Sequence, residues 1–382
     1  MLGWFGLRGR AFIAACVLFS GVAQADLTET IRKMNTDTLV WRVHVTDPQG
    51  LPVPGATIWR IIPNGNQREN VELMQRLVRR YSFDKDFVMN TMVHPSLMVS
   101  YVNKDGYFLH SDTVNYHKSS DVTTIYAVLK RGYLPTIVSD VARKNTTREL
   151  SITLQPDPSA VVDKSMLQFD LLRAQAHMPA ANAAERMQED RRQILLRTQQ
   201  ELRGLANTLE QEKKFDLASA VYYNLAYLPS VDVVRKPDGS EMIVGYTNGY
   251  DKNKPQRKAD MDKALDLNQS NPNLTISKLQ RSFPGENLGR VSSSQRISYI
   301  DLVEAMIKKS PERIWPINYF VSYEYLADGR YAEACAALNR AYNFEPTYKD
   351  EEGWDRTLGY YVSSAKKAGY QGETCTIRGL PA

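Results

Sequence analysis

From Leu39 the chain alternates apolar and polar residues. Trp41, Val43 and Val45 fall on one side, and Arg42, His44 and Thr46 on the other. A period of two is the mark of a half-buried strand. Asp47-Pro48-Gln49-Gly50 ends it, with a proline that pre-sets φ and a glycine that allows positive φ. The same logic predicts strands at Ala56–Ile62, Leu97–Val102, Tyr107–His110, Ile125–Lys130 and Leu150–Leu154. Short strands divided by Gly, Pro, Asn and Asp turns predict an antiparallel β-sandwich. One stretch breaks the period. Asn64–Pro95 places Val71, Met74, Leu77, Val78 and Tyr81 at helical spacing, which predicts a helical insertion. That helix either covers one sheet face or forms a lid or docking element.

Gln155-Pro156-Asp157-Pro158 is a linker, because two prolines stop a strand and cannot enter a helix interior. Beyond it apolar residues recur at three and four, as in Met166, Phe169 and Leu172. Ala180–Glu212 is rich in good helix formers and holds a single glycine, Gly204. One interruption stands out: Pro237-Asp238-Gly239-Ser240 between two apolar segments predicts a β-hairpin. Loops are expected at Asn268–Asn273 and Phe283–Gln295, a helix at Gln295–Lys309 and a capping helix at Trp354–Ala368.

Three motifs in the first half carry a resemblance. Val43–Ile58 contains a strand, a D-x-x-G turn, Pro54-Gly55-Ala56 and a second strand. Asp105-Gly106-Tyr107-Phe108 and Gly132-Tyr133-Leu134-Pro135 follow in order. Together they resemble the carboxypeptidase regulatory-like (transthyretin-like) domains over about residues 38–156. The resemblance implies an accessory β-sandwich, not a catalytic one. In the second half, Gly329, Tyr331, Ala334, Leu338, Ala341 and Pro346 have the spacing of a 34-residue tetratricopeptide repeat over 315–348. A weaker match covers 199–232, with Lys213 at the turn-glycine position. The expected organisation is therefore 1–25, 26–156 and 157–382: a leader, a β-sandwich with a helical insertion, and an all-α tetratricopeptide-like repeat domain carrying an insertion at 233–292. The repeat resemblance implies a partner-binding groove, with Arg203, Asn207 and Glu210 facing it in the weak repeat and Tyr319, Tyr323 and Leu326 in the strong one. Arg203 and Asn207 are one turn apart and could grip a carboxylate. Tyr319 and Tyr323 give a rigid aromatic face of the kind favoured at binding hot spots. The competing reading is a solvated helix face and a pair of core tyrosines.

Composition alters this picture in two places. Arg8 and Arg10, the apolar run Ala11–Val22 and Ala23-Gln24-Ala25 form the three parts of a secretory signal, with cleavage expected after Ala25. Twelve apolar residues are too few to span a bilayer. The Ile13-Ala14-Ala15-Cys16 segment looks like a lipoprotein box but leaves no room for an apolar core ahead of it. Removing the two arginines lowers the formal charge from +5 to +3, which is too little to point to nucleic acid. Of three cysteines, Cys335 and Cys375 then remain, and in an oxidising compartment they are expected to pair. Chemistry is sparse. There is no H-E-x-x-H, G-x-S-x-G or P-loop pattern. His44, His94, His110, His117 and His177 are scattered, and Ser363-x-x-Lys366 lacks a companion K-T-G. No cofactor and no metal is expected. The sequence thus predicts a non-enzymatic periplasmic or cell-surface adaptor that joins envelope proteins or peptides. A polysaccharide- or peptidoglycan-binding protein using Trp41, Trp59 or Tyr101, and an envelope hydrolase with a dispersed site, are the alternatives.

Overall fold

The structure, a computed structural model, describes residues 38–61, 67–81, 85–87, 97–113, 121–143, 146–177, 189–247, 254–271, 315–344 and 351–377, with 274, 297, 300–301, 304–305 and 346. The expected leader, 1–25, lies outside these residues, as do most of the predicted Gln295–Lys309 helix and the loop Phe283–Gln295. The chain is built of both helices and sheets, strands first and helices after.

Seven strands form two sheets. They are β1 (Thr38–Thr46), β2 (Thr57–Ile61), β3 (Leu97–Tyr101), β4 (Tyr107–Thr113), β5 (Asp121–Leu129), β6 (Thr136–Arg143) and β7 (Thr147–Thr153). One sheet has the order β4-β1-β7 and the other β3-β2-β5-β6. Pairing is antiparallel with one exception: β1 and β7 run parallel, Val43 opposite Leu150. The antiparallel expectation fails there because β7 crosses from the other sheet and re-enters beside β1. Strand β6 is not predicted by the alternation of the sequence. Its adjacent, partly exposed Ile137 and Val138 give no clean period.

Trp41, Val43 and Val45 of β1 meet Ile58 of β2 and Tyr126 and Val128 of β5, so the sheets pack face to face. The far side of the second sheet is also covered. Trp59, Ile61, Ile125 and Ala127 pack against Leu73, Met74, Leu77 and Val78 of helix α1 (Gln67–Tyr81). With both faces buried, β2 needs no polar alternation, and every residue from Thr57 to Ile61 is buried. Two turns meet at one end. The Asp47 carboxylate accepts from the Gln49 and Leu51 amides, and the Asn103 side chain from those of Asp105 and Tyr107. Gly106, at φ +82, is required there, since a Cβ would stand 2.8 Å from the Pro52 Cβ.

The helical part begins with α2 (Lys164–Ala176), capped by the Asp163 carboxylate, which accepts from the Ser165 amide. Then come α3 (Glu189–Gln211), α4 (Phe215–Tyr227), the hairpin β8 (Ser230–Arg235) with β9 (Glu241–Thr247), and α5 (Pro255–Leu267). They share one core through Leu202, Leu209, Val221, Leu225 and Met261. A second core is built by α6 (Trp315–Ala327), α7 (Tyr331–Phe344) and α8 (Glu351–Lys367), including Val321, Ala334, Leu338 and Trp354. Its tail is pinned by a Cys335–Cys375 disulfide. Among the described residues no helix is long and apolar enough to cross a membrane.

Candidate functional site

The groove residues expected on α3 are all engaged. The Arg203 guanidinium donates to both carboxylate oxygens of Asp260 on α5, at 2.5 and 2.7 Å. Asn207 Oδ1 and Glu210 Oε1 stand 3.0 and 2.8 Å from the Tyr222 hydroxyl of α4 and share its single proton. Burial, with Glu210 as acceptor, pushes that hydroxyl up to about 12. Glu210 also pairs with Lys263 at 2.7 Å. The three residues thus tie α3 to its neighbours. Beside them is a cavity of about 250 Å³ between α3, β8 and α5. It is lined by the apolar Leu195, Leu196, Leu225 and Val231 and by Arg192, Arg203, Lys254 and Arg257, with Asp260 and Asp232 paired to Arg203 and Lys254. Arg257 donates to the Leu228 carbonyl and the Ser230 hydroxyl, both at 2.7 Å, and so fixes the hairpin on α5. Helix α5 and the Arg203–Asp260 pair leave no mark in the sequence. The helix has no sharp apolar face, and its acidic partner lies 57 positions from Arg203.

In the second helical unit the expected residues divide. Tyr319 and Leu326 are core residues. Tyr323 is half-buried and bonds the Tyr319 hydroxyl at 2.9 Å. Its ring lies edge-on to Tyr361 at 5.5 Å and 6.2 Å from Tyr360. Tyr361 is buried and hydrogen-bonds Ser322, while Tyr360 is 53% exposed. The aromatic face open to solvent is therefore Tyr323 with Tyr360, from two helices, and not Tyr319 with Tyr323. The adjacent Tyr360-Tyr361 pair was the signal available for it. The tail crosses α7, where Asn339 Nδ2 donates to the Thr376 carbonyl at 2.8 Å. A cavity of about 650 Å³ lies between that tail and α7, bordered by Asn339, Arg340 and Glu373.

A third cluster joins the sheets to the first helical unit. Phe87, beyond helix α1 but within the insertion, enters the helical core and packs 5.7 Å from Tyr223. The Asp86 carbonyl accepts from Asn224 Nδ2 at 2.8 Å. The Asp86 carboxylate pairs with Lys85, Arg131 and Arg173. Asp170 of α2 pairs with Lys130 at 3.2 Å and with Arg131 and Arg173 at 3.3 Å. Arg173 also donates to the Thr57 hydroxyl at 3.0 Å and lies over the rings of Tyr101 and Phe169, at 4.7 and 4.8 Å. Gly55 lets α2 come this close, because a Cβ there would be 3.0 Å from the Asp170 backbone. Burial alone would raise the Asp86 carboxyl, but Lys85, Arg131 and Arg173 outweigh it and hold it well below the usual range. Burial and the nearby Arg173 and Arg191 lower His177 to about 3, so it is neutral at physiological pH. The sequence marks none of this, since each charge sits singly or in a common dipeptide. The insertion both covers a sheet face and docks.

Trp41 and Trp59 are fully buried core residues and present no ring face to solvent. Tyr101 is covered by Arg173 and His177. His44 stacks on Tyr107 at 4.3 Å. Among the described residues no group of three His, Cys, Asp or Glu side chains could hold a metal ion. His94, His117 and the His110 side chain lie outside them.

No protein-family model matches the chain, and no curated protein matches it. Among solved structures it is similar to a crystal structure of 3-chlorocatechol 1,2-dioxygenase from Rhodococcus opacus 1CP. The likeness covers 32% of this chain and 61% of that one, at 12% identity and a TM-score of 0.21. At that level it carries no statement about fold or activity.

Proposed function

We propose that the chain is an exported, non-enzymatic adaptor of the bacterial cell envelope. In this reading a regulatory-like β-sandwich holds one component, and tetratricopeptide-like helical hairpins hold a protein or peptide partner. The observation that carries it is the open cavity of about 250 Å³ between α3, β8 and α5, lined by Leu195, Leu196, Leu225 and Val231 together with the ion pairs Arg203–Asp260 and Lys254–Asp232. Such a cavity offers an apolar anchor site with a charged rim, the anatomy of a peptide-binding surface. The Tyr323–Tyr360 face of the second unit supports the same reading. Both helical hairpins close with one turn geometry, a common helix ending that also follows α8 at Gly369 and is compatible with a repeat. Lys213 at φ +59 and Gly329 at φ +77 hold the same left-handed position. Lys214 N–H bonds the Leu209 carbonyl as Arg330 N–H bonds that of Tyr325. Export rests on residues 1–25 of the sequence, and the Cys335–Cys375 bond is compatible with an oxidising compartment.

Photo-crosslinking in intact cells tests the proposal. A crosslinker at Leu196, which borders the cavity, or at Tyr360 should capture a discrete envelope protein. A crosslinker at exposed Val161 should not. Identical labelling patterns from all three positions, or none from any, would overturn the adaptor reading.

A further inference from the structure

The junction cluster is unbalanced. Lys85, Lys130, Arg131 and Arg173 meet two carboxylates, Asp86 and Asp170, so two positive charges are in surplus among the described residues. The surplus is not on the surface. Side-chain exposure is 8% for Lys85, 7% for Lys130, 1% for Arg173 and 18% for Arg131. Buried ions are costly unless paired. Burial lowers the pKa of both Lys85 and Lys130, as expected of ammonium groups short of counter-charge, and neutral His177 and protonated Tyr101 supply none.

Hydrogen bonding is incomplete in the same place. The Lys85 ammonium contacts only the Asp86 carboxylate, at 3.2 and 3.4 Å, and Lys130 only Asp170 Oδ2 at 3.2 Å. Each ammonium has three protons to give. The buried Nε atoms of Arg131 and Arg173 have no hydrogen-bond partner, although Arg131 Nε lies within ion-pair range of Asp170. Buried donors are as a rule satisfied. Here the unsatisfied donors and the uncompensated charge coincide, and both call for an acceptor of charge −2.

We propose that this junction binds a small free tetrahedral dianion, inorganic phosphate or sulfate, against Lys85, Lys130 and Arg131. Arg131, the most exposed of the four, is the edge by which the ion reaches solvent. Lys130 and Arg131 directly follow β5, Lys85 precedes Phe87 of the helical core, and Asp170 and Arg173 belong to α2. An ion held there fastens the sheets to the helical unit and makes their union dependent on the anion. This inference does not depend on the adaptor reading and concerns a different site.

Isothermal titration of the full chain with orthophosphate, and separately with sulfate, in chloride buffer of constant ionic strength provides the test. One equivalent should bind, with a saturable rise in Tm of about 3 °C at a hundredfold excess over Kd. The double variant Lys85→Met, Lys130→Met removes the surplus while keeping chain length. It should lose the anion response and show an equal or higher Tm in anion-free buffer. Absence of binding to either ion by the native chain overturns the proposal, as does binding that survives in the variant. A several-degree fall in the variant's anion-free Tm also overturns it, since the lysines would then already be balanced. Glycerol phosphate separates free from esterified sources. Binding of the ester in preference to orthophosphate would refute a free ion. Should the variant not fold, ³¹P spectra of orthophosphate decide on the native chain alone: line broadening on adding protein supports the site, and unchanged lines refute it.

Discussion

The two helical units are secured in opposite ways. The first, α2 to α5, is joined to the sheets by buried charge: Asp86 and Asp170 bridge a β-strand end, an insertion turn and α2, while Phe87 enters its core. The second, α6 to α8, has a smaller core among the described residues and a covalent staple, Cys335–Cys375, that folds the tail back until Ile377 is buried. A small core supplies little surplus stability and gains from a crosslink. A larger core can carry the desolvation cost of an ion cluster. The contrast teaches that one helical unit is locked by buried charge where it meets the sheets and the other by a disulfide where its tail folds back.

The strongest way to break the comparison is Asp86→Ala. It leaves three cations at the junction short of a carboxylate, so a loss of about 3–5 kcal/mol is expected in urea unfolding. The loss should be felt at the sheet–helix junction, with α6 to α8 retained. Cys335→Ser should do the reverse. The 40-residue separation predicts a loss of about 4 kcal/mol in the chain-entropy model. Hydrogen exchange should rise over α7, α8 and the tail and stay unchanged at α2. If both variants loosen both units together, the two units are not separately secured.

Acid should separate the units more gently. His177 has a folded pKa of about 3, below its unfolded value of about 6.5, so the unfolded chain binds more protons and stability declines as pH falls through the interval between them. Asp86 has a depressed folded pKa, so its contribution is present above about pH 4 and is lost as pH falls toward the folded value. Both act at the junction. Asp86→Asn should lower stability at pH 7 and flatten the profile below about pH 4, and His177→Gln should flatten it between about 6.5 and 4. Fluorescence of Trp354 in the second unit should be the last signal to change. The smallest expected effect compares the two hairpin turns. Lys213→Gly relieves a left-handed lysine and should stabilise by about 0.5–1 kcal/mol, and Gly329→Lys should cost about the same. Equal Tm values for native and Lys213→Gly chains would show that the first turn bears no strain.

Part of this architecture is legible in the sequence. Trp41, Val43 and Val45 mark β1 by alternation, and Pro237–Ser240 marks the hairpin. Val71 to Tyr81 marks the helix that covers the second sheet, because its apolar stripe repeats within a few residues. The disulfide follows from having one matched pair once Cys16 is set aside. The candidate sites are only half legible. Arg203 and Tyr323 stand out, but Asp260 and Tyr360, which decide what those side chains do, lie 57 and 37 positions away. Such pairings have no period to betray them.

By itself, then, the sequence determined most local elements (β6 and α5 excepted), the switch from strands to helices and the cysteine pairing, because each is written in spacing over a few residues or in a simple count. The tertiary structure alone decided that β7 runs parallel to β1, that the insertion both covers a sheet and docks in the helical core, and that six charges meet at the junction. Those features depend on which distant backbones approach each other. Burial then sets the energy of every charge brought together, and neither quantity is carried by any short stretch of chain.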